Sequence, residues 1–396
     1  MAKPGILLVI EGTYPWYRGG VSEWVHRYIT HFKDFNFDIL QVATDQYLNS
    51  GLDEALYRMP GHVRSFKRVP PPDLSASWAA VSSGWFKKVL NESEQLSFKP
   101  DLVHVANTGV AGWLGMSIAR LGDLPLILTE HALYWKEVQL GAAALECGYK
   151  IPRQEFEKVE MSDMFRLLAS RIYARADRVI SVSRCNIPEQ KKLGAKNPEY
   201  ISNGVDASWL DASKRKSSGF TVGWIGRCAE MKNPLRFFDV IDALRAETND
   251  ISFIMMSCDA NEPELWQKLK DKLRRYPEVT FLWNKPAEEA IHAMDALCVT
   301  SHNESQPLVI FEALAKKVLP FGWRVGDVSE EFALVVEPGA SAAELAQRVL
   351  SYWQSSEWEQ LMTQLHQKVR KNHTWEAVFK QYRNIFNPYL ATSEIT

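Results

Sequence analysis

Short apolar runs recur along this chain, each followed by a helix-like stretch, and this alternation limits the fold more than any other feature. The first run, Ile6 to Ile10, ends at the segment GTYPWYRGG and is followed by VSEWVHRYITHF. The runs FDILQVAT, DLVHVAN, PLILTEH and RVISVS continue the series. Strands that are buried on both faces give continuous apolar runs, and strands that alternate with helices pair in parallel. The pattern predicts an α/β fold with a parallel sheet.

The pattern stops in the polar stretch DASKRKSSG and then restarts with FTVGWIG, ISFIMMS, VTFLW, ALCVTS and FALVVEP. A chain of 396 residues is long enough for two domains, and two domains imply a cleft. We predict an N-terminal domain over residues 1–210, a linker over 211–218 and a second α/β domain over 219–374. The apolar stripe in 375–396 predicts an amphipathic helix; its residues are Trp375, Val378, Phe379, Tyr382 and Phe386.

Composition excludes several classes of protein. A formal net charge of -2 gives no electrostatic basis for wrapping nucleic acid. The five cysteines are odd in number and form no C-x-x-C pair, so neither a disulfide framework nor a zinc site is indicated. No stretch approaches the roughly 20 apolar residues of a membrane span. We expect a cytoplasmic protein.

The loop after the first apolar run is the first candidate binding element. In GTYPWYRGG, Gly19 and Gly20 would let main-chain N–H groups approach a phosphate at the start of the following helix. A plain tight turn is the alternative.

The segment GRCAEMKN, after the first strand of the second domain, is the second element. Arg227 and Lys232 follow Gly226 and could converge on one diphosphate, the guanidinium as a planar fork and the ammonium as a point charge. Two solvated surface charges are the alternative.

The third element, ESQPLVIFE, places Glu304 and Glu312 on either side of Pro307. If the helix begins near Val309, the loop exposes free N–H groups and Glu312 lies one turn inside the helix. One carboxylate can then hold sugar hydroxyls and the other a ribose. Carboxylates at a helix start are also common for dipole reasons alone.

His131, at the end of PLILTEH, is placed to reach a substrate, although a lone histidine is more often structural. Aromatic faces suit sugar rings, so Trp16, Tyr17, Tyr134 and Trp135 are acceptor-side candidates, although buried packing is the usual fate of such residues. No Asp-x-Asp occurs in the chain. A metal is therefore not implied.

Taken together and in order, these motifs resemble the GT-B glycosyltransferases of family 4. The Gly-rich loop, the histidine, the G-R-x4-K element and the E-x7-E element occur in the family's order over nearly the whole chain. The segments EGTYPWYRGGVSEWVH and LTEHALYWKE look like the PelF-type branch, whose members are similar to UDP-glucose-using exopolysaccharide synthases. The resemblance implies two Rossmann-like domains with parallel sheets that face a central cleft, with the last helix crossing back onto the first domain.

Residue by residue, the resemblance implies a donor site and a set of catalytic groups. The donor-binding set is Gly19, Gly20, Gly226, Arg227, Lys232, Ser305, Gln306, Pro307, Leu308 and Glu312. The catalytic set is His131, Glu304, Arg227 and Lys232. The acceptor-side candidates are Trp16, Tyr17, Arg18, Tyr134 and Trp135.

The chain departs from the family pattern at two places. Lys317 stands where the family has glycine, and the following segment FGWRVGDVSEE has Trp323 and Arg324 where small residues are commoner. Both departures bear on the identity of the donor more than on the fold.

The implied activity is retaining transfer of a sugar from a nucleoside-diphosphate donor, UDP before GDP, without a metal or other cofactor. The acceptor would be a saccharide or a lipid-linked saccharide of surface polysaccharide synthesis. A lipid-linked acceptor would bring peripheral contact with the inner face of the membrane. A nucleotide-sugar epimerase, a phosphorylase or a non-catalytic nucleotide-sugar binding protein are the alternatives on the same fold.

Overall fold

The computed structural model describes residues 3–43, 47–74, 82, 84–89, 96–141, 149, 151–210, 219–260 and 262–390. The chain divides into two compact units. Unit 1 comprises Met1–Ile201 and Phe379–Thr396, and unit 2 comprises Ser202–Val378. The first boundary therefore falls before the predicted end of the first domain at residue 210. The predicted linker, residues 211–218, lies outside the described residues.

Unit 1 contains a seven-stranded parallel sheet in the order β3-β2-β1-β4-β5-β6-β7. The strands are β1 (Gly5–Gly12), β2 (Asn36–Ala43), β3 (Val63–Val69), β4 (Leu102–Ala106), β5 (Leu126–Glu130), β6 (Arg178–Ser181) and β7 (Glu199–Tyr200). The described helices are α1 (Gly20–His31), α2 (Val110–Leu121), α3 (Tyr134–Gln139), α4 (Glu155–Arg175) and α5 (Ile187–Lys192).

The apolar runs of the sequence form the centre of this sheet. Every residue of β1, β4 and β5 is buried, because helices cover both faces of the parallel sheet. The sequence pattern did not predict β3, because its residues VRSFKRV mix charged, polar and apolar side chains and do not form an apolar run. That mixture suits a strand at the sheet edge, which is only half-buried.

Unit 2 contains a six-stranded parallel sheet in the order β10-β9-β8-β11-β12-β13. The strands are β8 (Phe220–Arg227), β9 (Ile251–Cys258), β10 (Val279–Trp283), β11 (Ala296–Val299), β12 (Leu319–Trp323) and β13 (Leu334–Val336). The described helices are α6 (Arg236–Glu247), α7 (Pro263–Leu273), α8 (Ala287–Ile291), α9 (Leu308–Ala315), α10 (Ala342–Trp353) and α11 (Glu357–Asn372), followed by α12 (Trp375–Leu390).

Strand β12 corrects the sequence interpretation of FGWRVGDVSEE as a loop. Phe321 to Trp323 belong to β12, where Trp323 is only 3% exposed and its Nε1 donates to Ala340 O at 2.8 Å. Pro320 and Gly322 masked the strand in the sequence, because both are usual turn residues. The pattern-based prediction of α/β structure is confirmed in both units.

The final helix, α12, carries the predicted apolar stripe. From Phe379 onward the helix belongs to unit 1, where the ring of Phe386 lies 6.1 Å from that of Tyr28. Arg383 also donates two hydrogen bonds to Asp34, at 2.6 and 2.9 Å. Within the described part of the chain, no helix has the length and apolar character needed to span a membrane.

Candidate active site

The two motifs of the second domain meet at one edge of the sheet of unit 2. The strand order reverses between β8 and β11. Ligands of open α/β sheets bind outside the carboxyl ends of the strands at such a point. Arg227 ends β8, and the segment from Thr300 to Pro307 follows β11. We call this place the unit 2 edge.

An ion pair joins the two motifs at the unit 2 edge. Lys232 ends the 3₁₀ turn Glu230–Lys232, and its Nζ donates to Glu304 Oε1 at 2.5 Å. Ser301 Oγ donates to the same oxygen at 2.7 Å. The Lys232 side chain is 24% exposed and the Glu304 side chain 8%. The ammonium group is thus held at the boundary with solvent, where a phosphate oxygen can pair with it.

Arg227 supplies the second cation of the unit 2 edge. Its positive charge lowers the pKa of the nearby Glu262, although burial is the larger effect and leaves that pKa raised overall. Glu262 also accepts a hydrogen bond from Glu230 N at 2.9 Å. The sequence analysis did not single out Glu262. Its hydrogen-bond partner is a main-chain N–H group, which almost every residue has, so no residue type marks the contact.

The loop before α9 holds the Gln306 side chain inside unit 2. Gln306 Oε1 accepts from Asn203 N at 2.5 Å, and Gln306 Nε2 donates to Asp327 Oδ2 at 3.0 Å. Both ends of the amide are engaged inside unit 2. A donor contact by Gln306 would therefore come from its main chain.

A tight turn supports this loop from behind. Gly326 has φ 56°, and a Cβ there would lie 1.7 Å from Glu304 O. Only glycine tolerates both the backbone conformation and the close approach. No sequence pattern indicates this contact, because the partner is a carbonyl distant in the chain.

Helix α9 begins at Leu308, directly after Pro307, as the motif predicted. Pro307, the residue before the helix, makes no side-chain hydrogen bond to the first turn. Glu312 is half-buried one turn along the helix. An anionic ligand at the start of α9 would meet the positive end of the helix dipole.

An open groove of about 370 Å³ lies beside the Lys232 turn. It is lined by Asn233, Leu235, Arg236, Asp239, Lys272 and His302. His302 also donates its main-chain N–H to Met231 O at 2.9 Å. The groove therefore borders both motifs of the unit 2 edge.

Of the two departures from the family pattern, Lys317 lies at the amino end of β12, whereas Trp323 and Arg324 lie at its carboxyl end. Lys317 is exposed just after α9 with φ 56°, which is the conformation that favours glycine. Trp323 is buried, with the guanidinium carbon of Arg236 3.4 Å from its ring centroid. Arg324 donates to Glu330 and, at 2.9 Å, to Glu337.

In unit 1, the strand order reverses between β1 and β4. Glu11 lies near the end of β1, Asn107 follows β4 and His131 follows β5. Asn107 Oδ1 accepts from His131 N at 2.7 Å, and Asn107 Nδ2 donates to the Tyr134 hydroxyl at 3.0 Å. Asn107 thus fixes the segment that carries His131. We call this place the unit 1 edge.

His131 is a neutral imidazole. Its side chain packs edge-on against Trp24 with ring centroids 4.7 Å apart, and burial lowers the pKa of His131 to about 3. Nε2 is buried and accepts or donates no hydrogen bond among the described residues. A neutral imidazole can contact a hydroxyl group but adds no charge to the site.

Two carboxyl groups are buried near His131. Glu130 accepts from Thr108 Oγ1 at 2.6 Å and from Gln190 Nε2 at 2.8 Å, and burial raises its pKa to about 7. Glu11 accepts from the Tyr149 hydroxyl and from Ala111 N, and burial raises its pKa as well. The unit 1 edge therefore disfavours negative charge.

The Gly-rich loop occupies the start of α1. Gly19 precedes the helix, and its carbonyl accepts from Glu23 N at 2.9 Å. Gly20 is exposed, and a Cβ there would meet nothing within 4 Å. No side chain caps this helix N-terminus.

The acceptor-side candidates are mostly packed. Tyr134 and Trp135 are each 3% exposed and belong to the hydrophobic core of unit 1. Trp16 stacks on Tyr47 with ring centroids 5.7 Å apart and donates from Nε1 to Gly51 O at 2.8 Å. Tyr17 is half-buried and Arg18 exposed. Of these side chains, Arg18 is therefore the best exposed.

In the described residues, no group of three or more His, Cys, Asp or Glu side chains could hold a metal ion.

Known families match both parts of the chain. Residues 219–355 match Glycosyl transferases group 1. Residues 4–97 and 85–198 match Domain of unknown function (DUF3492). Unit 2 and its two charged motifs therefore fall within the group 1 match.

The fold is that of known glycosyltransferases. Sucrose-phosphate synthase from Thermosynechococcus elongatus superposes with a TM-score of 0.72 at 17% identity over 98% of this chain and 100% of that chain. HepE of Anabaena, solved with UDP and glucose, gives 0.70 at 16% identity over 97% and 100%. The chain has the GT-B fold.

The particular type follows from the sequence. Residues 219–355 form a domain of the Glycosyl transferases group 1 family. The chain is 22% identical over 311 residues to a Bacillus subtilis (strain 168) protein named as the teichuronic acid biosynthesis glycosyltransferase TuaC, covering 75% of this chain and 72% of TuaC.

Proposed function

We propose that this glycosyltransferase takes a sugar from a nucleoside-diphosphate donor, UDP before GDP, and retains its anomeric configuration. The observation that carries the proposal is the contact between Lys232 and Glu304 at 2.5 Å. It places a cation suited to a diphosphate beside a carboxylate suited to sugar hydroxyls. The UDP and glucose found with HepE support the donor class.

The donor would lie along the unit 2 edge. Arg227 and Lys232 would hold the diphosphate, and Glu312 the ribose. Glu304 and the main chain of Ser305–Leu308 would contact the transferred sugar. The start of α9 would add main-chain donors to this set.

The reaction would proceed by attack of the acceptor hydroxyl on the same face of the sugar as the leaving group. The bond from the anomeric carbon to the phosphate oxygen breaks, and its electron pair goes to that oxygen. The acceptor oxygen bonds to the anomeric carbon, and its proton passes to the departing phosphate. Arg227 and Lys232 stabilise the charge that develops, so we propose no metal cofactor.

We propose a saccharide or lipid-linked saccharide acceptor in surface polysaccharide synthesis. The name of TuaC, which refers to teichuronic acid biosynthesis, supports this pathway class. We place the reaction in the cytoplasm, because the cysteines of the described residues, Cys185, Cys228, Cys258 and Cys298, form no disulfide. A lipid-linked acceptor would bring the protein to the membrane surface.

The first test is a thermal-shift panel with UDP, GDP, ADP, CMP and NAD. A ligand at about 100 times its dissociation constant stabilises the folded state by about 2.7 kcal/mol. We expect a shift with one nucleoside diphosphate that Glu312→Ala abolishes. Glu359→Ala, an exposed glutamate of α11, is the matched control and should keep the shift. A shift with NAD alone, or with none, would refute the donor assignment.

Product analysis separates the remaining activities. We expect sugar transfer only when an acceptor is present, and no loss of rate with EDTA. Conversion of the nucleotide sugar without acceptor would show an epimerase, and a requirement for free phosphate would show a phosphorylase. Tight donor binding without turnover on a panel of saccharide acceptors would favour a sensor.

A further inference from the structure

Gln306 lies in the segment that the proposed function assigns to the donor sugar, yet its amide faces the interior of unit 2. Gln306, Asn203 and Asp327 are 8%, 5% and 6% exposed. The amide accepts from Asn203 N at 2.5 Å and donates to Asp327 Oδ2 at 3.0 Å. One side chain therefore connects three separate segments of the chain.

Two further hydrogen bonds, each to a main-chain carbonyl of the loop, join the same three segments. Asp327 N donates to Ser305 O at 3.0 Å, and Asn203 Nδ2 donates to Gln306 O at 3.4 Å. Gly326 lies directly against Glu304 O. The loop that carries Glu304 is thus held from two sides by buried hydrogen bonds.

The segment that carries Asn203 is itself fixed. Ser202 Oγ and His373 Nδ1 are 2.6 Å apart, Val205 N donates to His373 O at 2.8 Å, and Trp375 N donates to Val205 O at 3.1 Å. These residues all belong to unit 2. The loop is therefore tied to a firmly bonded part of the unit.

We propose that Gln306 and Asp327 are positioning residues that set Glu304 and the main chain of Ser305–Leu308 against the transferred sugar. The inference rests on the proposed function. Neither side chain touches the sugar; both act through the loop. Their hydrogen bonds matter because a displacement of about 1 Å at a reacting centre can cost on the order of 100-fold in rate.

Exchanging the donor and acceptor roles of Gln306 and Asp327 tests whether their hydrogen bond positions the loop. Gln306→Glu keeps the acceptor for Asn203 N but places a second carboxylate against Asp327 at the 3.0 Å contact. Asp327→Asn alone keeps an oxygen that can accept from Gln306. The double variant Gln306→Glu/Asp327→Asn restores a donor and an acceptor in reversed order. Gln364→Glu, an exposed glutamine of α11, is the matched control.

The readout is the binding of UDP-glucose compared with UDP by calorimetry. We expect Gln306→Glu to weaken UDP-glucose at least about tenfold more than UDP, because the loop contacts mainly the sugar in the proposed site, whereas Arg227, Lys232 and Glu312 hold the UDP. The double variant should recover most of that loss, and the control should match the wild type. Equal weakening of both ligands, or no recovery in the double variant, would overturn the proposal.

Hydrogen exchange of the main-chain amides in 304–308 keeps the inference separate from the proposed function. We expect faster exchange in Gln306→Glu and wild-type exchange in the double variant, with no ligand present. A wild-type protein that binds neither UDP-glucose nor UDP would contradict the UDP donor. Unchanged exchange in Gln306→Glu would contradict the positioning role.

Discussion

The carboxyl edges of the two sheets are built on the same topology but differ in charge. In each unit the strand order reverses beside the first strand, between β1 and β4 in unit 1 and between β8 and β11 in unit 2. The unit 2 edge holds Arg227 and the ion pair of Lys232 with Glu304. The unit 1 edge holds the neutral His131, with buried Glu130 behind it.

The difference shows that the sheet topology sets where an edge lies, whereas the side chains determine its charge. In the proposed function an anionic leaving group needs cations near solvent, which unit 2 provides. Unit 1 disfavours charge by burial, so its edge suits a neutral partner such as a hydroxyl group. The same β–loop–α geometry would then serve two kinds of ligand.

Removing a cation from the unit 2 edge should have the largest effect on activity. Lys232→Met should lower kcat about 100- to 1000-fold, because the leaving diphosphate loses a fixed positive charge. Steady-state kinetics with the identified donor would measure the loss. Lys268→Ala, an exposed lysine of α7, is the control. Near-normal turnover of Lys232→Met would mean that catalysis does not depend on the positive charge that distinguishes the unit 2 edge from the unit 1 edge.

The neutrality of the unit 1 edge should appear in the pH dependence of stability. Burial lowers the pKa of His104 and of His131 to about 3. Between pH 6.5 and 3 the unfolded chain binds protons that the folded unit 1 does not, so the free energy of unfolding falls as pH drops. Between pH 6.5 and 5.0 each histidine should remove roughly 2 kcal/mol.

Urea unfolding of wild type and His131→Asn at several pH values measures this contribution. The variant should lose less stability than the wild type between pH 6.5 and 5.0. Glu130 acts in the opposite direction: its raised pKa adds stability that is lost as pH rises through about 7. Because Glu130 is present in both proteins, its contribution cancels in the difference between wild type and variant. An identical slope in both proteins would mean that folded His131 takes up a proton.

Gly20→Ala tests whether the unit 1 edge also meets the phosphates. Nothing lies within 4 Å of a Cβ at Gly20, so the melting temperature should not fall. If the donor approaches the main chain of Gly19 and Gly20, the added methyl group should lower kcat/KM about tenfold or more. Unchanged kinetics would confine phosphate binding to unit 2 and sharpen the comparison.

The smallest expected effect concerns the backbone conformation of Lys317. Lys317 has φ 56°. A left-handed conformation costs a non-glycine residue roughly 1–2 kcal/mol, part of which glycine returns as chain entropy. Lys317→Gly should therefore stabilise the protein by up to about 1 kcal/mol, measured by denaturant unfolding, with unchanged kinetics. Lys317→Ala should give no gain, and a changed donor KM in Lys317→Gly would give this position a role in binding.

The sequence alone predicted the α/β architecture and the motifs of the site. Continuous apolar runs identified β1, β4 and β5, because both faces of those strands are covered. It missed the half-buried edge strand β3 and strand β12, whose residues follow other patterns. Arg227, Lys232 and Glu304 became candidates because their motifs occur in the order of the family 4 glycosyltransferases that the chain resembles.

Only the tertiary structure decided which side chains meet and where they point. Lys232 and Glu304 are 72 residues apart, and no local pattern encodes their hydrogen bond. The family resemblance implied a donor contact by the main chain of Gln306, but no sequence pattern indicated that its side-chain amide meets Asn203 and Asp327, which come from distant segments. Periodicity records which face of an element is buried; the direction of a loop side chain depends on partners that only the folded chain brings within hydrogen-bonding distance.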